Sequence, residues 1–347
     1  ISGAGVVLWA PGGVLAAPDS ADQLMPAICA DGIGGAVLAW IAQRGDLSEL
    51  RSARLDPFGR AEASTSAVGL SIRSSVNPCR NPQLVRRAAG SWLSWQEGPD
   101  SVAVIRVLPL GPLADPEPSW NSQGLAISGN ATSEYVALAD TTGGLVVVWV
   151  EGLTGARDIR AQRVSTDASI NWGPGGRAVC DANGDQGAIS AVEDGHSGAL
   201  VAWEDYRSGG EADIRAQHVA ADGAIVWDAQ GAAVIVAPGH QFSPAIAHDG
   251  SGGALVTWVD GPSSARASFL RARPVRGDDV PRLIQAKAVP GRAQLTWQTW
   301  SDAVAKGRGL GMACGRDPAA GSSGSVAARG AWVAAWDQSD LQACRAR

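Results

Sequence analysis

The amino-acid sequence predicts an all-β fold built from one repeated sheet, and three observations support this prediction. The 347-residue chain contains 44 glycines and 19 prolines, which is typical of many short strands joined by turns. Tryptophans recur at intervals of 55, 54, 54 and 55 residues, each at the end of an apolar run such as "GGLVVVW" or "SGALVAW". Arginines keep the same step in segments such as "IRAQRV" and "IRAQHV". A fixed period of this length predicts a repeat architecture in which each repeat is one supersecondary unit.

The repeated positions form three series. The first tryptophan series consists of Trp40, Trp95, Trp149, Trp203 and Trp258. The arginine series consists of Arg51, Arg106, Arg160, Arg215 and Arg271. A second tryptophan series precedes a segment that contains glycine, at Trp9, Trp120, Trp172 and Trp227. Each period therefore holds four short apolar segments separated by glycine, aspartate and proline, which predicts a four-stranded antiparallel sheet.

The second strand of each repeat is apolar on both faces, as in "GALVAW", so each sheet must be covered on both sides. Sheets stacked face to face about an axis satisfy this pattern, which predicts a β-propeller. The strand count favours five blades, with residues 5–17 as the outer strand of the last blade, because such a closure leaves no open edge. Six or seven blades remain open if the chain is truncated at Ile1. The inner strands are predicted to start near Pro26, Pro82, Ser133, Ala188 and Pro244.

Two repeats carry a turn motif between the third and fourth predicted strands. The segments are "STDASINW", with Asp167 and Trp172, and "AADGAIVW", with Asp222 and Trp227. They resemble the Asp-box of sialidase-like propellers, Ser-x-Asp-x-Gly-x-x-Trp, which lies on that turn of the blade. The repeats also resemble those of secreted or surface propellers of Gram-negative bacteria over residues 1–276. This resemblance implies a secreted or cell-surface protein.

The chain after the repeats has a different pattern. Residues 277–300 include "DDVPRLIQAKAVPGRAQLTWQTW", which resembles the first two strands of a fibronectin type III domain. Residues 301–347 are rich in glycine and alanine without clear alternation, and we expect a tail of low order there. The predicted domains are therefore a propeller of repeats of about 54 residues, a partial sandwich-like segment and this tail.

Composition excludes several classes of protein. The formal net charge is −6, so no basic surface for nucleic acid is expected. A run of 18 apolar residues, as a membrane-spanning helix requires, does not occur in the sequence. The five cysteines have no CxxC spacing, and the calcium-like segment "DANGDQG" has Gln186 where a calcium loop requires glycine. We therefore predict no metal, no cofactor and a monomer.

Most of the charged residues recur with the repeat, which indicates a scaffold role. Carboxylates stand two residues after the first tryptophan series, at Glu97, Glu151, Asp205 and Asp260. A buried guanidinium needs a partner, so we expect an ion pair or backbone contact that joins Arg160 to Glu151 and Arg215 to Asp205. A further series precedes glycine-rich turns and predicts Asx turns, at Asp31, Asp140, Asp194 and Asp249.

Residues that break the repeat are the candidates for binding. The segment "EDYRSGGEAD" contains Tyr206 and Arg207, and its neighbouring repeat lacks them; His240 and His248 are likewise unmatched. A catalytic site needs single copies of unlike groups, so the repetition argues against an enzyme, and we assign no catalytic residue. The sequence predicts a noncatalytic recognition or structural module for a glycan or protein ligand. The alternative is a propeller-class glycoside hydrolase, sialidase-like or arabinanase-like.

Overall fold

The structure is a computed structural model that describes residues 12–61, 68–129, 131–248, 253–261 and 269–276, and six short strands between residues 286 and 345. The chain divides into two compact units. The first comprises Ile1–Leu153 and Arg160–Arg177, and the second comprises Thr154–Ile159 and Ala178–Arg347.

Successive antiparallel sheets make up the described repeats. Sheet 1 contains β1 (Asp22–Ala30), β2 (Ala36–Arg44), β3 (Leu47–Leu55) and β4 (Leu70–Ser75). Sheet 2 contains β5 (Cys79–Arg87), β6 (Gly90–Glu97), β7 (Val104–Leu110) and β8 (Leu125–Ala126), with a 3-10 turn at Asp100–Val102. Sheet 3 contains β9 (Thr132–Ala139), β10 (Leu145–Glu151), β11 (Asp158–Val164) and β12 (Arg177–Cys180).

Sheet 4 contains β13 (Gln186–Glu193), β14 (Ala199–Asp205), β15 (Asp213–Val219) and β16 (Ala232–Ile235). Sheet 5 contains β17 (His240–His248), β18 (Gly253–Gly261) and β19 (Phe269–Arg276) in the described part of the chain. Later strands are short: β20 (Ala286–Val289), β21 (Arg292–Leu295), β22 (Met312–Cys314), β23 (Ala327–Ala328), β24 (Ala331–Trp332) and β25 (Cys344–Arg345).

This arrangement confirms the predicted all-β propeller fold. Each of the first four sheets has four strands in chain order, which is the pattern of a propeller blade. The second strand of each blade is buried on both faces; in β10, for example, every residue from Leu145 to Val150 is buried. The number of blades stays a prediction, and so do the domain limits after residue 276. Residues 12–17 form no strand, and the rest of the predicted outer strand lies outside the described residues.

The first tryptophan series and the arginine series meet within each blade. Trp40 lies directly opposite Arg51, Trp95 opposite Arg106, and Trp203 opposite Arg215, across the second and third strands. Cross-strand partners share one face of the sheet. The tryptophan spacing and the arginine spacing therefore arise from one cross-strand contact that is repeated from blade to blade.

A glycine of the fourth-strand region completes this contact. Four glycines have φ between +70° and +83°, and a Cβ atom on any of them would lie 2.3–2.5 Å from the Cη2 atom of the blade's tryptophan. These glycines are Gly69, Gly124, Gly176 and Gly231. Only glycine meets both requirements, because the backbone is left-handed and the indole ring occupies the space of a side chain.

The repeated arginine also joins the third strand to this region. Arg106 donates to the carbonyl oxygen of Gly124 at 3.1 Å, and Arg215 donates to that of Gly231 at 3.0 Å. The expected ion pair of Arg160 with Glu151 is present, at 2.5 Å. The arginine at this position thus contacts a backbone carbonyl in some blades and forms an ion pair in some.

Arg215 makes the backbone contact of this expectation rather than an ion pair with Asp205. Asp205 is instead bound at both carboxylate oxygens by Arg207, at 2.6 and 2.7 Å, and Trp203 Nε1 donates to it at 2.9 Å. Arg207 stands only two residues from Asp205 and presents a planar fork that matches a carboxylate. Arg207 therefore binds the carboxylate of Asp205.

The predicted Asx turns are confirmed at Asp31, Asp140 and Asp194, while Asp249 lies outside the described residues. In each turn one carboxylate oxygen accepts two backbone amides, such as those of His196 and Gly198 at 2.7 and 2.8 Å from Asp194. The same carboxylates bind a side chain at one repeated position of the third strand, which is Arg54, Arg163 or His218. The turn is thus tied to the third strand of its own blade.

The inner strands start one to four residues before the predicted positions, at Asp22, Cys79, Thr132, Gln186 and His240. A register shift interrupts each of these strands near its start. Four of the bulges hold a residue other than glycine with φ between 48° and 54°, namely Met25, Asn81, Ala188 and Ser243. A bulge breaks the alternation of inward and outward side chains, so the first residues of each strand do not show the strand pattern in the sequence.

The glycine and tryptophan contact predicts the outcome of one matched pair of substitutions. Gly231→Ala places a methyl group 2.3 Å from Trp203, whereas Gly209→Ala has the same left-handed strain, φ +79°, with no atom within 4 Å. We expect Gly231→Ala to lower the free energy of unfolding by roughly 1–3 kcal/mol more than Gly209→Ala does. Urea unfolding followed by tryptophan fluorescence measures the difference. Equal losses in the two variants would contradict the contact.

Candidate functional site

The segment that breaks the repeat forms the connection between β14 and β15. It turns at Tyr206, whose carbonyl oxygen accepts the amide of Gly209 at 3.0 Å, and both Gly209 and Gly210 have positive φ. The next inner strand, β17, is tied to this connection, because the Gln241 amide donates to the Ala212 carbonyl at 2.9 Å. Sheets 4 and 5 therefore meet at the start of β17.

Three aromatic rings lie in a row at this junction. The ring centroids of Tyr206 and His240 are 5.8 Å apart, and those of His240 and Phe242 are 5.3 Å apart with an angle of 29° between the planes. All three side chains are half-buried, so each keeps a solvent-facing part. The amide of Ala212 donates to His240 Nδ1 at 3.0 Å, which leaves Nε2 as the donor of the neutral ring.

A carboxylate borders this row. Glu204 accepts the hydroxyl of Tyr206 at 2.7 Å and the amide of Ser243 at 2.7 Å. Burial raises the pKa of Tyr206 to about 12, and both the hydrogen bond to Glu204 and the charge of that carboxylate add to the effect. The phenol therefore stays protonated and holds its bond to Glu204. We call Glu204, Tyr206, His240 and Phe242 the aromatic-acid site.

The structure brings together two of the four predicted binding residues. Tyr206 and His240 belong to the aromatic-acid site. Arg207 binds other groups, namely Asp205, the carbonyl oxygen of Gln230 at 2.6 Å and the Cys180 sulfur at 3.3 Å. His248 is the last residue of β17, eight residues after His240, or about 26 Å along an extended strand.

Sequence reasoning missed Glu204 and Phe242. Phe242 follows His240 by two residues in a strand, so both side chains project from one face, and the period of two would have revealed it. Glu204 directly precedes Asp205, which belongs to the series of repeated carboxylates, so the sequence did not distinguish Glu204 from the scaffold. No sequence signal places it beside Ser243, because that contact joins residues of two different sheets.

The predicted Asp-box turns lie between the third and fourth strands, as expected. Asp167 accepts the amide of Ser169 at 3.0 Å, and Asp222 accepts that of Ala224 at 2.9 Å. Trp172 and Trp227 are each 8% exposed, and their amides donate to Gln162 and Gln217. These contacts describe a turn, and they do not by themselves show a sialidase-like family.

The described residues contain no group of three or more side chains placed to hold a metal ion. In the calcium-like segment, Asp181 accepts the side chain of Gln230 at 2.6 Å. Asp185 accepts the amides of Gly155 and Arg157 at 2.7 and 3.1 Å. Oxygens in this segment are thus used for hydrogen bonds within the protein. Nor does the described part contain a helix long and apolar enough to cross a membrane.

Comparisons with known proteins give only distant similarity. No family model and no curated protein matches the chain. An endo-arabinase from Bacteroides thetaiotaomicron has 13% identity and a TM-score of 0.38, with 76% of this chain and 97% of that chain covered. An ulvan lyase bound to a glycan has 10% identity and a TM-score of 0.44, with 82% and 81% covered. A thermostable family-43 glycoside hydrolase has 10% identity and a TM-score of 0.36, with 74% and 91% covered.

These three solved structures are glycan-cleaving enzymes by name. All three TM-scores are below 0.5, so the similarities assign neither a family nor an activity to this chain.

A pair of buried carboxylates, Asp205 and Asp213, lies at the two ends of the connection that contains Tyr206. Asp213 is directly opposite Asp205 across β15 and β14, and it is 7% exposed. Burial raises the pKa of Asp213, and the charge of Asp205 adds to the effect. The amide of Ala237 and the charge of Arg215 act in the opposite direction and are outweighed.

A raised pKa in the folded state means that ionisation of Asp213 costs stability as the pH rises through that pKa. Asp213→Asn keeps an acceptor for the Ala237 amide and removes the charge. We expect the free energy of unfolding of this variant, relative to the natural chain, to increase as the pH rises from about 3 to 7. Urea unfolding at several pH values measures this difference. A difference that does not change with pH would contradict the assignment.

Proposed function

We propose that the protein is directed at carbohydrate and binds it through the aromatic-acid site. The observation that carries this proposal is the row of Tyr206, His240 and Phe242 beside the carboxylate of Glu204. Tyr206 of this row lies in a connection where the repeat departs from its neighbour, and His240 and Phe242 lie at the start of β17. Loops that a rigid scaffold positions are where binding residues concentrate.

The chemistry of the site suits a sugar ring. The apolar C–H face of a sugar packs against aromatic rings, while its hydroxyls need polar partners at the rim. The carboxylate of Glu204 can accept hydrogen bonds from the hydroxyl groups of a sugar, and Nε2 of neutral His240 can donate one to a hydroxyl oxygen. Each of these groups is held by a protein contact, so little ordering remains to be done when a ligand binds.

Two forms of this function are proposed, recognition without cleavage and glycoside hydrolysis. Recognition is favoured by the site itself, which contains one carboxylate, whereas glycosidases generally use two that flank the bond. Hydrolysis is the second candidate, and the names of the structures that share the fold correspond to it. In either form we propose a secreted or surface protein, because polysaccharides are encountered outside the cell.

Affinity gel electrophoresis with a panel of soluble polysaccharides, including arabinan and ulvan, tests the proposal. We expect at least one polysaccharide to retard the protein. Tyr206→Ala and Phe242→Ala should each weaken that binding about tenfold, because each removes a stacking surface. Phe58→Ala is the matched control, since Phe58 is an exposed phenylalanine outside the site, and it should bind as the natural chain does.

The two forms are separated by an assay for released reducing ends on the polysaccharide that binds. Hydrolysis predicts turnover that Glu204→Gln abolishes, while Gln still accepts the Tyr206 hydroxyl. Recognition predicts retardation without turnover. Unchanged mobility on every polysaccharide of the panel, or equal retardation of the natural chain and both aromatic variants, would contradict the aromatic-acid site.

A further inference from the structure

Exposed apolar residues occur together in the first unit, in the turns that follow β1, β3 and β7. They are Ile33, Pro57, Phe58 and Leu113. Ile33 and Phe58 are each 74% exposed, so their side chains project beyond the surrounding protein. We call these four residues the apolar tips.

The apolar tips belong to turns that are joined to each other. The Cγ atom of Pro57 lies 3.2 Å from the place that a Cβ atom on Gly34 would take, so the turn after β3 packs on the turn after β1. The hydroxyl of Ser52 donates to the carbonyl oxygen of Ala114 at 2.6 Å. This bond joins β3 to the turn that holds Leu113.

Hydrogen bonds to aspartate fix two of these turns. The carboxylate of Asp31 accepts the amide of Ile33 at 2.9 Å. The carboxylate of Asp56 accepts the amides of Phe58 and Arg60 at 2.9 and 2.8 Å. Ile33 and Phe58 are thus held at exposed positions, and little backbone freedom is left to lose when they contact a partner.

The fold does not require apolar residues at these places. Phe58 is the third residue after β3, and Leu113 is the third residue after β7. The same place after β11 and after β15 holds an aspartate, Asp167 or Asp222. A blade therefore forms with a charged residue there, and neighbouring exposed apolar side chains indicate a contact outside the fold.

Two arginines border the apolar tips. The guanidinium of Arg60 lies 5.9 Å from the centre of the Phe58 ring. The guanidinium of Arg86 fills the place that a Cβ atom on Gly32 would take, so it lies against the turn after β1. Both arginines are exposed. An exposed aspartate in the turn of sheet 2, Asp115, carries the opposite charge, so the positive charge of this surface is modest.

We propose that the apolar tips insert into the interface of a lipid bilayer that contains anionic lipid. The side chains of Ile33, Phe58 and Leu113 enter the boundary between headgroups and acyl chains. Arg60 and Arg86 meet the lipid phosphates, which a guanidinium matches in charge and geometry. A bilayer suits residues that project, whereas a glycan or another small ligand needs a concave site. The proposal does not depend on the aromatic-acid site, because it involves other residues in the other unit.

Sedimentation with lipid vesicles at low ionic strength tests the proposal. The vesicles contain phosphatidylcholine alone or phosphatidylcholine mixed with phosphatidylserine. We expect the natural chain to sediment with both, and to bind the anionic vesicles about fivefold more tightly. Added salt should reduce this difference, because it screens the arginines. A natural chain that stays in the supernatant with both kinds of vesicle would overturn the proposal.

Substitutions taken from other blades locate the contact. Phe58→Asp installs the residue that sheets 3 and 4 have at this place, and Ile33→Thr installs the counterpart of Thr142, the third residue after β9. Both variants should therefore fold, and each should weaken vesicle binding about tenfold. Val76→Asp is the matched control, because Val76 is 78% exposed and follows β4 at the opposite end of sheet 1. It should bind vesicles as the natural chain does.

A third variant tests the part of the arginines. Arg60→Gln combined with Arg86→Gln should remove most of the preference for anionic vesicles and keep the binding to phosphatidylcholine. Equal vesicle binding by the natural chain, Phe58→Asp and Ile33→Thr would overturn the proposal. Light scattering without lipid covers the remaining alternative. A dimer of the natural chain that Phe58→Asp dissociates would show that the tips bind a second copy of the chain, and this result would also overturn the proposal.

Discussion

The contact between a tryptophan and a left-handed glycine organises each blade. The indole ring fills the space that a side chain on the glycine would need, so a residue other than glycine there would push the fourth-strand region away from the tryptophan. The arginine opposite the tryptophan then donates to a carbonyl beside the contact, as Arg215 does to Gly231. Three residues far apart in the repeat thus set the spacing of three strands. Because the contact is buried and exact in shape, it recurs while the surface of the repeat diverges.

The aromatic-acid site includes the start of an inner strand, next to a bulge that turns the backbone out of regular pairing. The bulge at Ser243 presents an amide to Glu204. In the first unit, the bulges at Met25 and Asn81 line a pocket in the same way. A bulge re-aims side chains without loss of the sheet beyond it. The bulges near the starts of the inner strands therefore provide positions where blades with the same fold can present different side chains.

The sequence predicted the features that depend on local pattern, and it failed where tertiary contacts decide. The periods of tryptophan and arginine, the Asx turns and the apolar second strands all follow from residues within one blade. Asp205 is bound by Arg207, two residues away, while Arg215 donates to the carbonyl oxygen of Gly231. The contact of Glu204 with Ser243 and the meeting of Asn81 with Tyr135 join residues 39 and 54 positions apart. Such contacts depend on how neighbouring sheets meet, which spacing within a repeat does not encode.

One blade differs from two others in the kind of side chain that binds its turn. Arg54 and Arg163 present a guanidinium to Asp31 and Asp140, whereas His218 meets Asp194 with a ring nitrogen. The repeat thus keeps the carboxylate of the turn while the third strand changes the group that binds it. Because this position needs only a hydrogen-bond donor, the chemistry of the donor can change from blade to blade without loss of the hairpin.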